Sequence, residues 1–358
     1  MKILYLIILI LICSPTLLGF PLANSEFIIY PGLLLSMLFP FFFKRSFDYN
    51  LLVLLFTGLL ILILNQVKFT SGGYYLVGIF ILFNKFSIPE NILKFLLKGL
   101  SFFLLFTVII DLINPNIIEN LIHFDRRSLI DNRLSLNLIR PLGFFRESSG
   151  LGLTLSVLLA IDLKHKFNNY RLILLTGLLS FSSSFILLSA LIGFVYNRQI
   201  FKKATVLFPF IFLSFIIVVP RAIVIYDSFT VDFETLMQIP LSFIKRLIHP
   251  FYGFYETVIS HSPSDLFFGL GPGNYKEFLI NEFYWLQGSD LKAGYILNIL
   301  LNILLSFGVI YTALILFFIR KLTSKNSFWI IILILSQGIP LIHPGVFLLT
   351  FLFKNKNE

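Results

Sequence analysis

Residues 293–319 carry no charged side chain, and residues 172–196 carry none either. A helix of about 20 apolar residues crosses the hydrocarbon core of a bilayer, so uncharged runs of this length restrict the possible folds severely. A single soluble core could not absorb several of them. The composition agrees. Apolar residues make up 57% of the 358 and the mean hydropathy is +0.91. Charged residues are 13%, against about a quarter in ordinary soluble domains. A soluble globular enzyme, a disordered chain and a collagen-like fibre are excluded. The single cysteine, Cys13, rules out a disulfide framework and a Cys-based zinc site. No His/Asp/Glu cluster has metal-ligand spacing, so neither a metal nor another cofactor is expected.

The apolar runs are Ile3–Phe20, Phe27–Phe43, Leu51–Leu64, Tyr74–Phe83, Phe95–Ile113, Gly150–Ile161, Leu172–Tyr196, Ala204–Val219, Ala293–Ile319 and Phe328–Phe353. Helices are the default in lipid because unpaired backbone groups are costly there, and no ten-residue alternation suggests a barrel. The expectation is an all-α, polytopic integral membrane protein. It has one transmembrane domain over residues 1–358 and ten to twelve membrane segments. Lys2 and the run after it also fit a signal sequence, but no A-x-A site follows. Two runs contain interruptions. Ser180, Ser182, Ser183 and Ser184 break one near its middle, so it crosses twice or re-enters. Gln337-Gly338 through His343-Pro344 break the last, with His343 read as a helix-break residue.

The net charge of +10 is distributed as membrane topology requires rather than as a nucleic-acid surface. With a cytoplasmic N-terminus, Lys44, Arg45, Lys85, Lys94, Lys98, Lys164, Lys166 and Arg171 fall inside. Residues 114–149 and 221–292 then form two external segments, too polar to span and too long for simple connectors. Five arginines of the first segment run against the positive-inside bias. Arg126, Arg127 and Arg133 have Asp125 and Asp131 as ready partners. Arg140 and Arg146 abut the next apolar run. Asp111 lies near the end of its run and reads as an interfacial residue.

Arg140 and Arg146 frame the string Arg140-Pro141-Leu142-Gly143-Phe144-Phe145-Arg146-Glu147-Ser148-Ser149-Gly150. It resembles the Arg-x-x-Gly-x-Phe-x-Glu-Pro-Ser string of bacterial O-antigen and capsular polysaccharide polymerases and their ligase relatives, with Ser148 where proline is usual. Phe268-Gly269-Leu270-Gly271-Pro272-Gly273-Asn274-Tyr275 is similar to the glycine-rich string late in that family's large external loop. Arg246 stands where the family commonly has an arginine. Leu291–Ile315, with Ser306-Phe307-Gly308 inside it, resembles the span that follows. The Ser180–Ser184 cluster resembles a serine-arginine interruption but lacks the arginine. The likeness covers residues 140–315.

The resemblance implies a GT-C-like membrane glycosyltransferase of the bacterial cytoplasmic membrane. It would join undecaprenyl-diphosphate-linked saccharides on the outer face, among membrane lipids, alongside a flippase and a chain-length regulator, and without nucleic acid. Family ligases carry a histidine just before that following span. Here the segment reads Gly288-Ser289-Asp290-Leu291-Lys292-Ala293, so a repeat-unit polymerase is favoured over a ligase. A transporter or flippase is the rival from another class. Transporters hold ionisable residues near the membrane midplane, whereas these runs are nearly free of them. For the polymerase, Arg140, Arg146, Arg221 and Arg246 are the candidate diphosphate ligands, because a guanidinium donates paired hydrogen bonds to phosphate. Glu147, His249 and His261 are alternative bases for the acceptor hydroxyl. Gly143, Gly269, Gly271 and Gly273 shape the two loop motifs.

Overall fold

The computed structural model describes residues 1–14, 20–21, 28–29, 31–45, 49–65, 69–84, 86–119, 141–145, 148–196, 233, 248–286, 291–292, 294, 296, 298–337 and 343–353. They are mostly helical. In chain order the helices are α1 (Lys2–Ile12), α2 (Pro31–Leu38), α3 (Tyr49–Leu64), α4 (Phe69–Phe83), α5 (Glu90–Ile113), α6 (Pro115–Glu119), α7 (Ser148–His165) and α8 (Tyr170–Leu179). Then come α9 (Ser183–Tyr196), α10 (His249–Ser260), α11 (Pro263–Phe268), α12 (Tyr275–Glu282), α13 (Ile299–Leu322), α14 (Lys325–Leu335) and α15 (Pro344–Leu348). Among the described residues, α5 and α13 are long and apolar enough to cross a membrane. The expected run Ala204–Val219 lies outside the described residues.

Sequence signals set several helix ends. Glu90 in the first turn of α5 suits the positive end of the helix dipole, and Asn114 before Pro115 ends it. Ser324 caps α14 by accepting from Ser327 N at 3.3 Å. Arg320 and Lys321 close α13 at its negative end. The run 172–196 is divided, as its serines suggested. Helix α8 stops at Leu179, Phe181 takes φ +48°, and α9 begins at Ser183. The last run is divided too, into α14, α15 and a final 3-10 turn, Leu349–Leu352.

The chain forms two compact units. The first takes Met1–Ser46, Lys85–Val224 and His343–Glu358. Its centre is α7, buried on every face from Leu151 to Ile161, as an all-round apolar helix should be. Helices α8, α9 and α15 and the final 3-10 turn pack on it. Small residues set the spacing: a Cβ on Gly152 would stand 2.1 Å from Ser182 Oγ. At the end of α7, Lys164 Nζ donates to the carbonyls of Leu352 (3.2 Å) and Phe353 (3.0 Å). Two short antiparallel pairs, Phe20–Pro21 with Ile28–Ile29 and Lys44–Arg45 with Phe86–Ser87, belong to this unit.

The second unit takes Phe47–Asn84 and Ile225–Ile342. Its axis is α13, against which α3, α10 and α11 pack. Tyr311 Oη donates to Leu54 O at 3.0 Å, and Gly58 leaves room for that hydroxyl. Asn298 caps α13 through Leu301 N and also donates from Nδ2 to Ser336 O at 2.9 Å, tying the start of α13 to the end of α14.

Candidate active site

Arg140, Arg146, Glu147, Arg221 and Arg246 lie outside the described residues. The remaining candidates fall into two groups, one in each unit.

The first group is built on the Arg140–Gly150 string. Its described part, Pro141–Phe145, is buried. Asp111, 2% exposed near the end of α5, organises it. One carboxylate oxygen, Oδ2, accepts from Leu142 N at 2.5 Å and Gly143 N at 3.0 Å. Phe145 N closes the turn onto Leu142 O at 3.1 Å, and Gly143 takes φ +54°. The Phe144 ring stacks on Phe103 of α5, centroids 5.8 Å apart. A carboxylate that holds two backbone N–H groups fixes the loop's register, so this turn is locked to the end of a membrane-length helix. Helix α7 starts three residues after Phe145.

His343 belongs to the same place. It is the N-cap of α15, with Nδ1 accepting from Gly345 N at 3.0 Å. Its ring lies 6.1 Å from the Phe145 ring. Its Nε2 sits 3.0 Å from where a Cβ on Gly150 would stand. Sequence reading put Asp111 at the interface and His343 at a helix break, without joining either to the string. Each partner is far away in the chain, and no local pattern marks such a pairing.

The second group surrounds the glycine-rich string. Gly269, Gly271 and Gly273 all have φ +86°. The string inserts into a break in α13 at Gly308, which has φ 80° and ψ 175°. A helix interrupted there leaves the carbonyls of the preceding turn without helical donors. Leu270 N and Gly271 N supply them, donating to Leu305 O at 2.8 Å and Ser306 O at 3.0 Å. The two backbones touch. A Cβ on Gly269 would stand 2.5 Å from Ser306 O, and one on Gly308 2.3 Å from Phe267 O. Downstream, Tyr275 Oη donates to Asn302 Oδ1 at 2.5 Å, and Ser306 Oγ donates to the same atom at 3.2 Å. The glycine string and the following span are therefore one interlocked element.

The two candidate histidines lie in this unit and differ. His249 opens α10 beside Pro250 and is 2% exposed. His261 follows α10 and is half-buried, edge-on to Phe278. Its Nδ1 lies 2.7 Å from Thr257 O. A carbonyl only accepts, so in this contact Nδ1 is the donor. No group of metal-ligating side chains occurs among the described residues. No known protein family, curated protein or solved structure matches the chain, so the family likeness rests on the sequence motifs.

Proposed function

We propose that this chain is a polytopic glycosyltransferase of the bacterial cytoplasmic membrane that polymerises lipid-diphosphate-linked oligosaccharide repeat units on the outer face. One observation carries the reading. The arginine-flanked string resembling the polymerases is pinned by Asp111 to the end of a helix of membrane length. A lipid-linked donor needs its diphosphate at such a boundary, with its tail in the apolar phase.

In this reaction the acceptor hydroxyl attacks the anomeric carbon, the bond to the diphosphate oxygen breaks, and the lipid diphosphate leaves. No nucleotide is consumed. Charge gathers on the leaving diphosphate, so fixed donors and cations act most strongly in the transition state. Arg140, Arg146, Arg221 and Arg246 are assigned to it. The acceptor proton goes to Glu147, His249 or His261, the three bases that the sequence offers.

Purified protein in lipid nanodiscs, given lipid-linked repeat units, should form polymer without nucleotide. Arg→Lys at Arg140, Arg146 or Arg246 keeps the charge but loses the planar fork. Each should slow polymerisation nearly as much as Arg→Ala, by about 30- to 1,000-fold. Full polymer yield and length from alanine at all three would refute the site. Arg126, Arg127 and Arg133 serve as controls that tolerate alanine.

A further inference from the structure

Three cations gather where α13 ends and α14 begins. Arg320 and Lys321 close the first helix, Lys325 opens the second, and all three are exposed. The turn between the helices is fixed. Thr323 Oγ1 donates to Ile319 O at 2.6 Å, Phe328 N to Ser324 O at 2.9 Å, and Ser324 Oγ accepts from Ser327 N at 3.3 Å. The cations are placed as well. The Arg320 guanidinium lies 5.7 Å from the centre of the Phe328 ring, and Lys321 Nζ donates to Asn50 Oδ1 of α3 at 3.5 Å. Lys325 stands in the first turn of α14, where the helix dipole opposes a positive charge.

Among the described residues no carboxylate balances this charge. Residues 291–357 contain neither Asp nor Glu. The described acids of the same unit, Glu256, Asp265, Glu277 and Glu282, belong to α10, α11 and α12. Those elements meet α13 around Leu301, Asn302, Leu305 and Ser306, about 20 Å along the helix from Arg320. Asp48, beside Tyr49 in the sequence, lies outside the described residues. Large apolar side chains flank the cations. Phe317 and Trp329 are 59% and 58% exposed, and α13 is apolar and of membrane length. An exposed indole beside cations at the end of such a helix is the composition of a membrane–water interface. Arginine and lysine stems there stay among apolar groups while their charged heads reach the headgroup layer.

We infer that the α13–α14 turn binds the headgroups of anionic phospholipids. A lipid phosphate takes the paired hydrogen bonds of Arg320 and the charges of Lys321 and Lys325, while Trp329 and Phe317 lie among the acyl chains. This rests on α13 crossing the bilayer and not on the polymerisation chemistry. With residues 221–292 outside, the turn faces the cytoplasmic leaflet. The tie to Asn50 agrees, because that residue closely follows Lys44 and Arg45, which the charge asymmetry puts on the same side. Each cation near an anionic lipid surface is worth up to about fivefold in lipid preference.

The chain has two tryptophans, so Trp285→Phe leaves Trp329 as the single indole reporter. The full-length protein with that change is placed in phosphatidylcholine nanodiscs holding a minor share of lipid brominated in its acyl chains. Brominated phosphatidylglycerol should reach and quench Trp329 in preference to brominated phosphatidylcholine, by about tenfold or more. Glutamine at Arg320, Lys321 or Lys325 should each lower that preference up to about fivefold, and at all three bring it near parity. Lys325→Glu should lower it further than Lys325→Gln, and Lys292→Gln, ahead of the start of α13, should leave it unchanged. Unchanged unfolding midpoints confirm that these exposed substitutions spare the fold. Inorganic phosphate at matched ionic strength should leave the preference standing; its abolition would reveal a free-anion site and overturn the lipid assignment. Equal quenching by the two lipids, or a preference that survives the triple substitution, overturns the inference and leaves the membrane-spanning reading in place. A Trp329 that neither lipid quenches removes both the crossing of α13 and the site.

Discussion

Asp111 carries more of the architecture than its position in the sequence suggests. Its carboxylate satisfies the backbone N–H groups of Leu142 and Gly143 inside a buried turn. Asp111→Ala leaves two buried donors without that acceptor, at about 1–3 kcal/mol each. Asp111→Asn keeps one acceptor oxygen and should lose less than half as much. Thermal unfolding in nanodiscs measures the difference, and equal losses would show that the oxygen is not what matters. Asp162 poses a different electrostatic problem, in the last turn of α7 beyond the apolar run 150–161. Burial pushes its carboxyl above the usual carboxylate range, against the hydrogen bonds of the Asn169 and Tyr170 backbone and the Asn169 side chain, and the charge of Lys94. A raised folded-state value penalises the ionised form. Relative stability is thus greatest below the ordinary carboxylate range and is lost as pH rises through the raised value. Asp162→Asn keeps an acceptor for Asn169 N and removes the charge. Its unfolding midpoint should match that of the original protein near about pH 4 and exceed it near about pH 8.

Helix α13 works as an element only together with the glycine string. Gly269 and Gly308 both occupy a backbone region that side-chain-bearing residues enter at about 1–3 kcal/mol of strain. Each also abuts backbone that cannot rotate away. Gly308→Ala and Gly269→Ala should each destabilise the second unit by at least that strain. The double variant should cost less than their sum, because both disrupt one contact. Protease sensitivity of residues 263–286 checks this, and strict additivity would refute the interlock. Much of this level was legible in the sequence. Uncharged runs marked the helices, the serines at 180–184 marked a break, and Gln337 to Pro344 marked another. What stayed hidden was tertiary. Phe328–Phe353 reads as one run by hydropathy, yet its last part folds in a different unit from its first. His343 reached the arginine-flanked string only through the fold, nearly two hundred residues after it.

At the scale of the whole molecule, the polytopic reading makes the two polar segments external. Single cysteines at Asn137 and Asn281, in a background with buried Cys13 replaced, should react with a membrane-impermeant thiol reagent in intact cells. Protection of both until lysis would overturn the orientation and the proposed chemistry together. The interlock between the glycine string and α13 also bears on how the chain is made. A ribosome completes Gly269 to Gly271 well before Leu305 and Ser306, so the loop's donors exist before their acceptors do. Any nascent chain stopped short of Gly308 holds a loop with nothing to close on. The strings that carry the proposed chemistry are both translated by Tyr275, but the second acquires its shape only when the later span arrives. Premature termination after the last motif residue therefore yields a product that has the candidate arginines and bases and lacks the loop shape to use them.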